Sequence, residues 1–219
     1  MGIQGLLKNL HKLLVPPPSH PSQQHGDDGD AREDRRPPPP RHNIRQFADK
    51  TLAVDASSWL HKAGYTCAER LVEAGEAGTR DSFAERNYCK YILNRCDELL
   101  RRAGIAGVLL VFDGVRVPLK SGTNGERERR RRANLAEARR LRDAGRRQEA
   151  ADAYKKCVKG TAIMARVVAA AVAGRWPDTG GDGAAPARVR CVWSPYEADA
   201  QLARLCADGR ADAVVTEVR

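Results

Sequence analysis

Residues Gly107–Leu135 read GVLLVFDGVRVPLKSGTNGERERRRRANL, and the fold class follows from how this stretch is read. The apolar run Val108, Leu109, Leu110, Val111 and Phe112 stops at Asp113-Gly114, and arginines follow at Arg127, Arg129, Arg130, Arg131 and Arg132. A continuous apolar run bounded by turn residues suits a strand covered on both faces. An acid at its carboxyl end then stands where open parallel sheets place their functional sites. That acid, with dense positive charge downstream, points to a metal or proton site facing a phosphate-rich partner.

Upstream the pattern repeats. Lys50–Asp55, KTLAVD, is a second short apolar run ending in an acid, and ASSWLHK follows with Ser57 and Ser58 placed to cap a helix. That helix is expected to run to about Glu73 and to break at Gly75–Gly78. Ser82–Ala103 has the spacing of a long helix, stopped at Gly104. Downstream, Pro118–Gly125 is expected to be a loop and Glu126 to about Ala144 a helix. This helix is rich in arginine and shows no apolar stripe, so it should project into solvent or bridge. Gln148–Ala173 is expected to be one further long helix. Arg188–Ser194 reads as a strand, Tyr196–Ala207 as a helix and Ala211–Thr216 as a final strand. This alternation predicts an α/β fold with a parallel sheet covered by helices on both faces.

Two stretches stand apart. Residues 1–14 place Ile3, Leu6, Leu7, Leu10, Leu13 and Leu14 at helical spacing, whereas residues 15–42 hold eight of the chain's twelve prolines and cannot build a core. That segment is expected to be a disordered, Pro-rich insert. Residues 174–187, GRWPDTGGDGAAPA, read as a second loose insert.

The chain has 219 residues, a formal net charge of +10 and a pI near 9.6, which point to polyanionic partners. With 42% hydrophobic residues it is globular, and a mean hydropathy of −0.56 makes it polar. The six cysteines show no CxxC and no zinc spacing, so buried reduced thiols and an intracellular compartment are expected. No apolar run reaches membrane-spanning length, and the first residues lack a signal-peptide pattern. Gly2 does not fit N-myristoylation, because Leu6 stands where Ser or Thr is required. There is no P-loop, dinucleotide fingerprint or nucleophile elbow. His61 is the one histidine within folded sequence, and a lone histidine is more often a contact residue than a base.

Asp55 and Asp113 each end a strand, and Glu197 and Asp199 open the helix after the third strand. In a parallel sheet these ends share one edge, so four carboxylates from distant sequence could converge there. Acids without His or Cys suit hard cations such as Mg²⁺, and a pair of such ions can activate water and stabilise a leaving oxygen. Taken singly, each acid is also an ordinary turn or helix-dipole residue. Glu197 and Asp199 lie two apart, so on an ideal helix they do not share a face.

MGIQGLL at residues 1–7, LAVDASSWLHK at 52–62, VLLVFDG at 108–114, RRRRANL at 129–135 and SPYEADAQLA at 194–203 together resemble the flap-endonuclease/XPG family of structure-specific 5′ nucleases, best the exonuclease-one branch. The resemblance spans residues 1–14 and 43–217. It implies a PIN-like (resolvase-like) nuclease core with a basic helical arch. In that plan residues 1–14 and 43–135 form an XPG N-terminal-type region, 136–187 an arch or connector with a Gly-rich loop, and 188–219 the start of an XPG internal-type region.

The same resemblance implies Mg²⁺-dependent hydrolysis of phosphodiesters at the 5′ ends, nicks or flaps of DNA, in repair and replication, in the nucleus. Asp55, Asp113, Glu197 and Asp199 match the metal-binding acids. Lys120 and Arg127 match the basic pair at the scissile phosphate. Gly2 matches the N-terminal glycine packed near the active site and His61 a DNA-contacting position; with Arg129, Arg130, Arg131 and Arg132, read as the solvated face of the arch helix, they are the expected DNA-binding residues. Ser57 stands where some relatives carry a stacking tyrosine. The expected partners are DNA and repair or replication proteins, with no membrane and a monomeric state. The family continues T-E-D-x-D after the last strand, where this chain has Thr216-Glu217-Val218-Arg219. A truncated site is therefore expected, with two ions in the complete family but the second position compromised here. The alternative is a fragment that grips DNA without cutting it. A basic nucleic-acid binder unrelated to nucleases does not account for five motifs in order.

Overall fold

The computed structural model describes residues 43–115, 121–178 and 187–216. The expected helix over 1–14, the Pro-rich segment, Gly2, Lys120, most of the Gly-rich insert and residues 217–219 lie outside them. Contacts divide the chain after Asn43, and the unit Ile44–Arg219 is the one described.

Four strands form its sheet: β1 (Thr51–Asp55), β2 (Gly107–Phe112), β3 (Val189–Trp193) and β4 (Ala213–Val215). All pairings are parallel and the order is β3-β2-β1-β4. Among the described residues seven α-helices accompany them, besides a 3-10 turn at Ile44–Phe47: α1 (Ala56–Tyr65), α2 (Ala68–Glu76), α3 (Ser82–Arg102), α4 (Ser121–Asp143), α5 (Arg147–Cys157), α6 (Ala162–Arg175) and α7 (Ala198–Ala207). The chain first steps outward from β1 to β2 to β3, then crosses back to lay β4 on the other side of β1. The strand order reverses at β1, and such switch points open a crevice at the carboxyl ends of the strands.

The apolar runs work as the sequence predicts. Leu52, Val54, Val108, Leu110 and Phe112 face a core filled by Trp59 and Leu60 of α1, Tyr88, Ile92 and Cys96 of α3, and Met164, Val168 and Val172 of α6. Ala53, Leu109 and Val111 face the other way, onto Ala198, Leu202 and Leu205 of α7. Burying each large side chain contributes about 1.5–3 kcal/mol, which is why both faces of β1 and β2 must be apolar. Cys67, Cys89, Cys96 and Cys157 are free and buried.

Three helix expectations change. The first helix breaks early, into α1 and α2, where Thr66 Oγ1 donates back to the Ala63 carbonyl at 2.7 Å. The expected long helix over Gln148–Ala173 is two helices bent by 93°. Val158 is extended and Thr161 caps α6, accepting from the Met164 N–H at 3.2 Å. A Ser/Thr side chain that serves as a cap competes with helix continuation, and this signal outweighed the apolar periodicity. Val158 also packs against α1. A Cβ on Gly64 would lie 2.5 Å from Val158 Cγ1, so the close approach requires glycine.

The arginine-rich helix begins at Ser121, inside the expected loop, and it does not simply project. Leu135, Ala138 and Leu141 bury a narrow stripe against Ala150, Ala153, Tyr154 and Cys157 of α5 and Ala68 of α2. Charge reinforces the seam. Arg139 forks onto Glu73 of α2 at 3.0 and 2.7 Å, and Tyr154 donates to the same carboxylate at 2.6 Å. Three apolar residues among so many arginines were too sparse a pattern to read as a buried face.

Candidate functional site

The site is assembled at the carboxyl edge of the sheet, around the crevice beside β1. Asp55 ends β1 in extended conformation and is the N-cap of α1, its Oδ1 accepting from Ser57 N at 3.0 Å and Ser58 N at 3.4 Å. The serines therefore do not cap the helix as expected. The acid does, because its carboxylate reaches the first free N–H groups and meets the positive end of the helix dipole. Ser58 Oγ instead donates to the Asp55 carbonyl at 2.8 Å.

That leaves the Ser57 hydroxyl free to cross to the next strand, where it donates to Asp113 Oδ2 at 2.6 Å. Asp113 Oδ1 accepts from Ala198 N at 2.8 Å, the first residue of α7. One carboxylate thus ties the ends of β1 and β2 to the β3–α7 loop. The loops themselves are laced together. Gly114 N donates to the Tyr196 carbonyl at 2.6 Å, Val115 N to that of Pro195 at 3.0 Å, and Ser194 N to that of Phe112 at 2.9 Å. A Cβ on Gly114 would overlap the Ser194 carbonyl oxygen and lie 2.7 Å from that of Pro195. The Asp-Gly pair is more than a turn, since the glycine admits the β3–α7 loop to Asp113.

Glu197 and Asp199 come with that loop. Glu197 is not in the helix; it is the extended N-cap residue and its side chain makes no capping hydrogen bond. Lying outside the helix, Glu197 is not bound by the helical spacing that would turn it away from Asp199. Ser194, 5% exposed, holds the loop, its Oγ donating to the Glu197 carbonyl at 2.8 Å. Neither Ser57, Gly114 nor Ser194 was singled out by sequence reasoning as a supporting residue. The only signal for Gly114 was its place directly after a strand-ending acid.

Electrostatics mark the edge as poised for positive charge. Burial pushes the Asp55 carboxyl above its ordinary range, and the neighbouring charges of Asp113 and Asp199 push in the same direction. The N–H groups of Ser58 and Ser57 oppose this. A cation between these carboxylates would relieve the repulsion, and an all-oxygen donor set suits Mg²⁺. In the arrangement described, no three His, Cys, Asp or Glu side chains among the described residues are grouped closely enough to hold one ion. The chemistry of the donors fits a hard cation, and the carboxylates would have to draw together around it.

The basic residues sort by surroundings. Arg131 is half-buried and paired with Glu128, and Arg130 lies 3.9 Å from Glu126. Arg127, Arg129 and Arg132 are exposed. His61 stands on α1, half-buried, with its ring edge-on to Tyr65 at 5.0 Å between centroids.

The family model described as XPG N-terminal domain matches residues 40–134. Exonuclease 1 of Danio rerio is 35% identical over 175 residues, covering 80% of this chain and 19% of that protein. Exonuclease 1 of Oryza sativa subsp. japonica is 30% identical over 217 residues, covering 99% of this chain and 20% of that protein. The chain thus spans about a fifth of the length of these relatives. A solved structure of the catalytic core of Rad2 in complex with DNA substrate aligns with a TM-score of 0.43 at 23% identity, over 80% of this chain and 41% of that one.

Proposed function

We propose that the chain is a member of the XPG/flap-endonuclease family, on its exonuclease 1 branch, and that it is a metal-dependent nuclease acting on DNA at 5′ ends, nicks or flaps. One observation carries this reading. Asp55 and Asp113, from distant sequence, are brought to one sheet edge, joined through Ser57, and linked by Ala198 N to the segment bearing Glu197 and Asp199.

Asp55, Asp113, Glu197 and Asp199 are the residues that would hold divalent cations, Mg²⁺ by donor type. Bound there, such ions lower the pKa of coordinated water and neutralise charge on a phosphodiester. The chain's own groups prepare the site. The Ser57 hydroxyl and the Ala198 N–H fix the orientation of Asp113, and two backbone N–H groups hold Asp55. Arg127, with Lys120, is proposed to meet the scissile phosphate, where a fixed cation stabilises charge developing in the transition state. Arg129, Arg130, Arg131, Arg132, His61 and Gly2 are proposed to contact DNA. Affinity from such contacts rests on phosphate charge and falls steeply with salt. A monomeric protein acting in DNA repair in the nucleus completes the proposal.

The test is Mg²⁺-dependent digestion of a nicked or 5′-recessed duplex. Cutting that EDTA and Asp113→Ala both abolish is the expected result. A second reading, DNA binding without hydrolysis, is favoured by the carboxylates not being grouped around one ion position among the described residues. Salt-sensitive binding with no cutting under any divalent ion would establish it and overturn the first.

A further inference from the structure

Six large apolar side chains are exposed among the described residues, and two of them, Val115 at 70% and Tyr196 at 59%, flank the acidic edge. They come from different strand ends. Val115 follows Asp113-Gly114 after β2, and Tyr196 immediately precedes Glu197 after β3. Neither sits on a loose loop. The Gly114 N–H donates to the Tyr196 carbonyl at 2.6 Å, and the Val115 N–H to the Pro195 carbonyl at 3.0 Å. On its other side the Tyr196 N–H donates to the hydroxyl of buried Ser194 at 3.3 Å. A tyrosine with more than half its surface in water, on a backbone held at three consecutive points, is displayed and pre-positioned.

Exposure of a large aromatic costs hydrophobic stabilisation that burial would supply. Trp193, three residues earlier and itself 45% exposed, still lays its ring on buried Phe112 at 5.1 Å between centroids and 29° between planes. Among the described residues no ring or cation stacks on Tyr196, whose neighbours in sequence include the acids of the site. A phosphodiester held by the cations that those acids would bind carries a base on each side of it. The group within reach of a rigid exposed ring is then a nucleobase, and every base offers a face for stacking irrespective of sequence.

We propose that Tyr196 is a stacking platform for the DNA base flanking the scissile phosphate, with Val115 forming the apolar rim beside it. The assignment rests on the nuclease reading above and deepens it. The chain binds the terminal nucleotide by its base as well as by its phosphate, without reading sequence. Tyr196 acts on substrate position, so its loss falls on KM and terminal-base geometry more than on the chemical step.

The probe is a 5′-recessed duplex with 2-aminopurine as the 5′-terminal base, bound by the full chain in Ca²⁺. Stacking quenches this fluorophore. The expected result is quenching by the parent chain and by Tyr196→Phe and Tyr196→Trp. Tyr196→Ala should lose the quenching and bind about tenfold more weakly, the size of one base–aromatic stack. Melting temperatures of the variants should match the parent, because the side chain is exposed. Equal quenching and affinity in Tyr196→Ala would overturn the platform while leaving the nuclease reading intact. A parent chain that binds no DNA would overturn both.

Discussion

Replacing Gly114 by alanine tests whether the β2–β3 lacing holds the site together. The new methyl group would overlap the Ser194 carbonyl oxygen and stand 2.7 Å from that of Pro195. Both are backbone atoms, so the strain cannot be relieved by turning a side chain. The two loops must separate, and the direct casualties are the bonds from Gly114 N to the Tyr196 carbonyl and from Val115 N to that of Pro195. At about 0.5–1.5 kcal/mol each, their loss costs about 1–3 kcal/mol. For a unit of this size that lowers the melting temperature by roughly 3–10 °C. The same separation draws Ala198 N from Asp113 Oδ1, so the carboxylates no longer share one edge. Thermal melts with and without Mg²⁺ read both effects, and Gly114→Ala should melt lower and lose the Mg²⁺-induced gain. Gly174→Ala is the control, since nothing lies within 4 Å of a Cβ there, and it should be neutral or slightly stabilising. A Gly114→Ala chain that melts with the parent and keeps its full response to Mg²⁺ would refute the argument.

Three further outcomes are expected. Arg139 and then Tyr154 and Arg142 hold Glu73 ionised, with its pKa lowered to about 2, so the folded state binds this proton less readily than the unfolded chain. The stabilisation is present in full above the unfolded value near 4.5 and is lost as pH falls from there toward 2. After discount for solvent it amounts to about 1–2 kcal/mol, and Glu73→Gln should flatten that part of a pH–stability curve; an unchanged acid limb would refute the pairing. Asp113→Asn removes a charge that disfavours ionised Asp55, so without metal it should melt no lower than the parent, yet show no gain with Mg²⁺. A retained Mg²⁺ gain would remove Asp113 from the proposed ligand set. Arg127→Ala should slow cleavage by about a hundredfold while weakening DNA binding far less; equal losses would sink its transition-state role.

Much of the architecture was legible because its signals are local. Two short apolar runs bounded by turn residues and ending in Asp55 and Asp113 suit strands buried on both faces, where any polar residue would lose its water. The alternation with helical stretches then gave a parallel sheet. Where reading failed, a short-range competitor decided. Thr66 and Thr161 end or begin helices with their hydroxyls, and Leu135, Ala138 and Leu141 bury a stripe hidden among arginines.

For the site, the sequence by itself determined which carboxylates are available and that they lie at strand ends, because strand direction and chain order suffice for that. How those acids are held was decided only by the tertiary structure. Asp55 caps the helix that the serines were expected to cap, and the Ser57 hydroxyl so released reaches Asp113, 56 residues away in sequence. Glu197 is freed from the helix that would have turned it from Asp199. Gly114 owes its place to a backbone arriving from β3. Hydrogen bonds between distant segments depend on distances of a few tenths of an ångström, and no residue pattern encodes those until the sheet has brought the segments together.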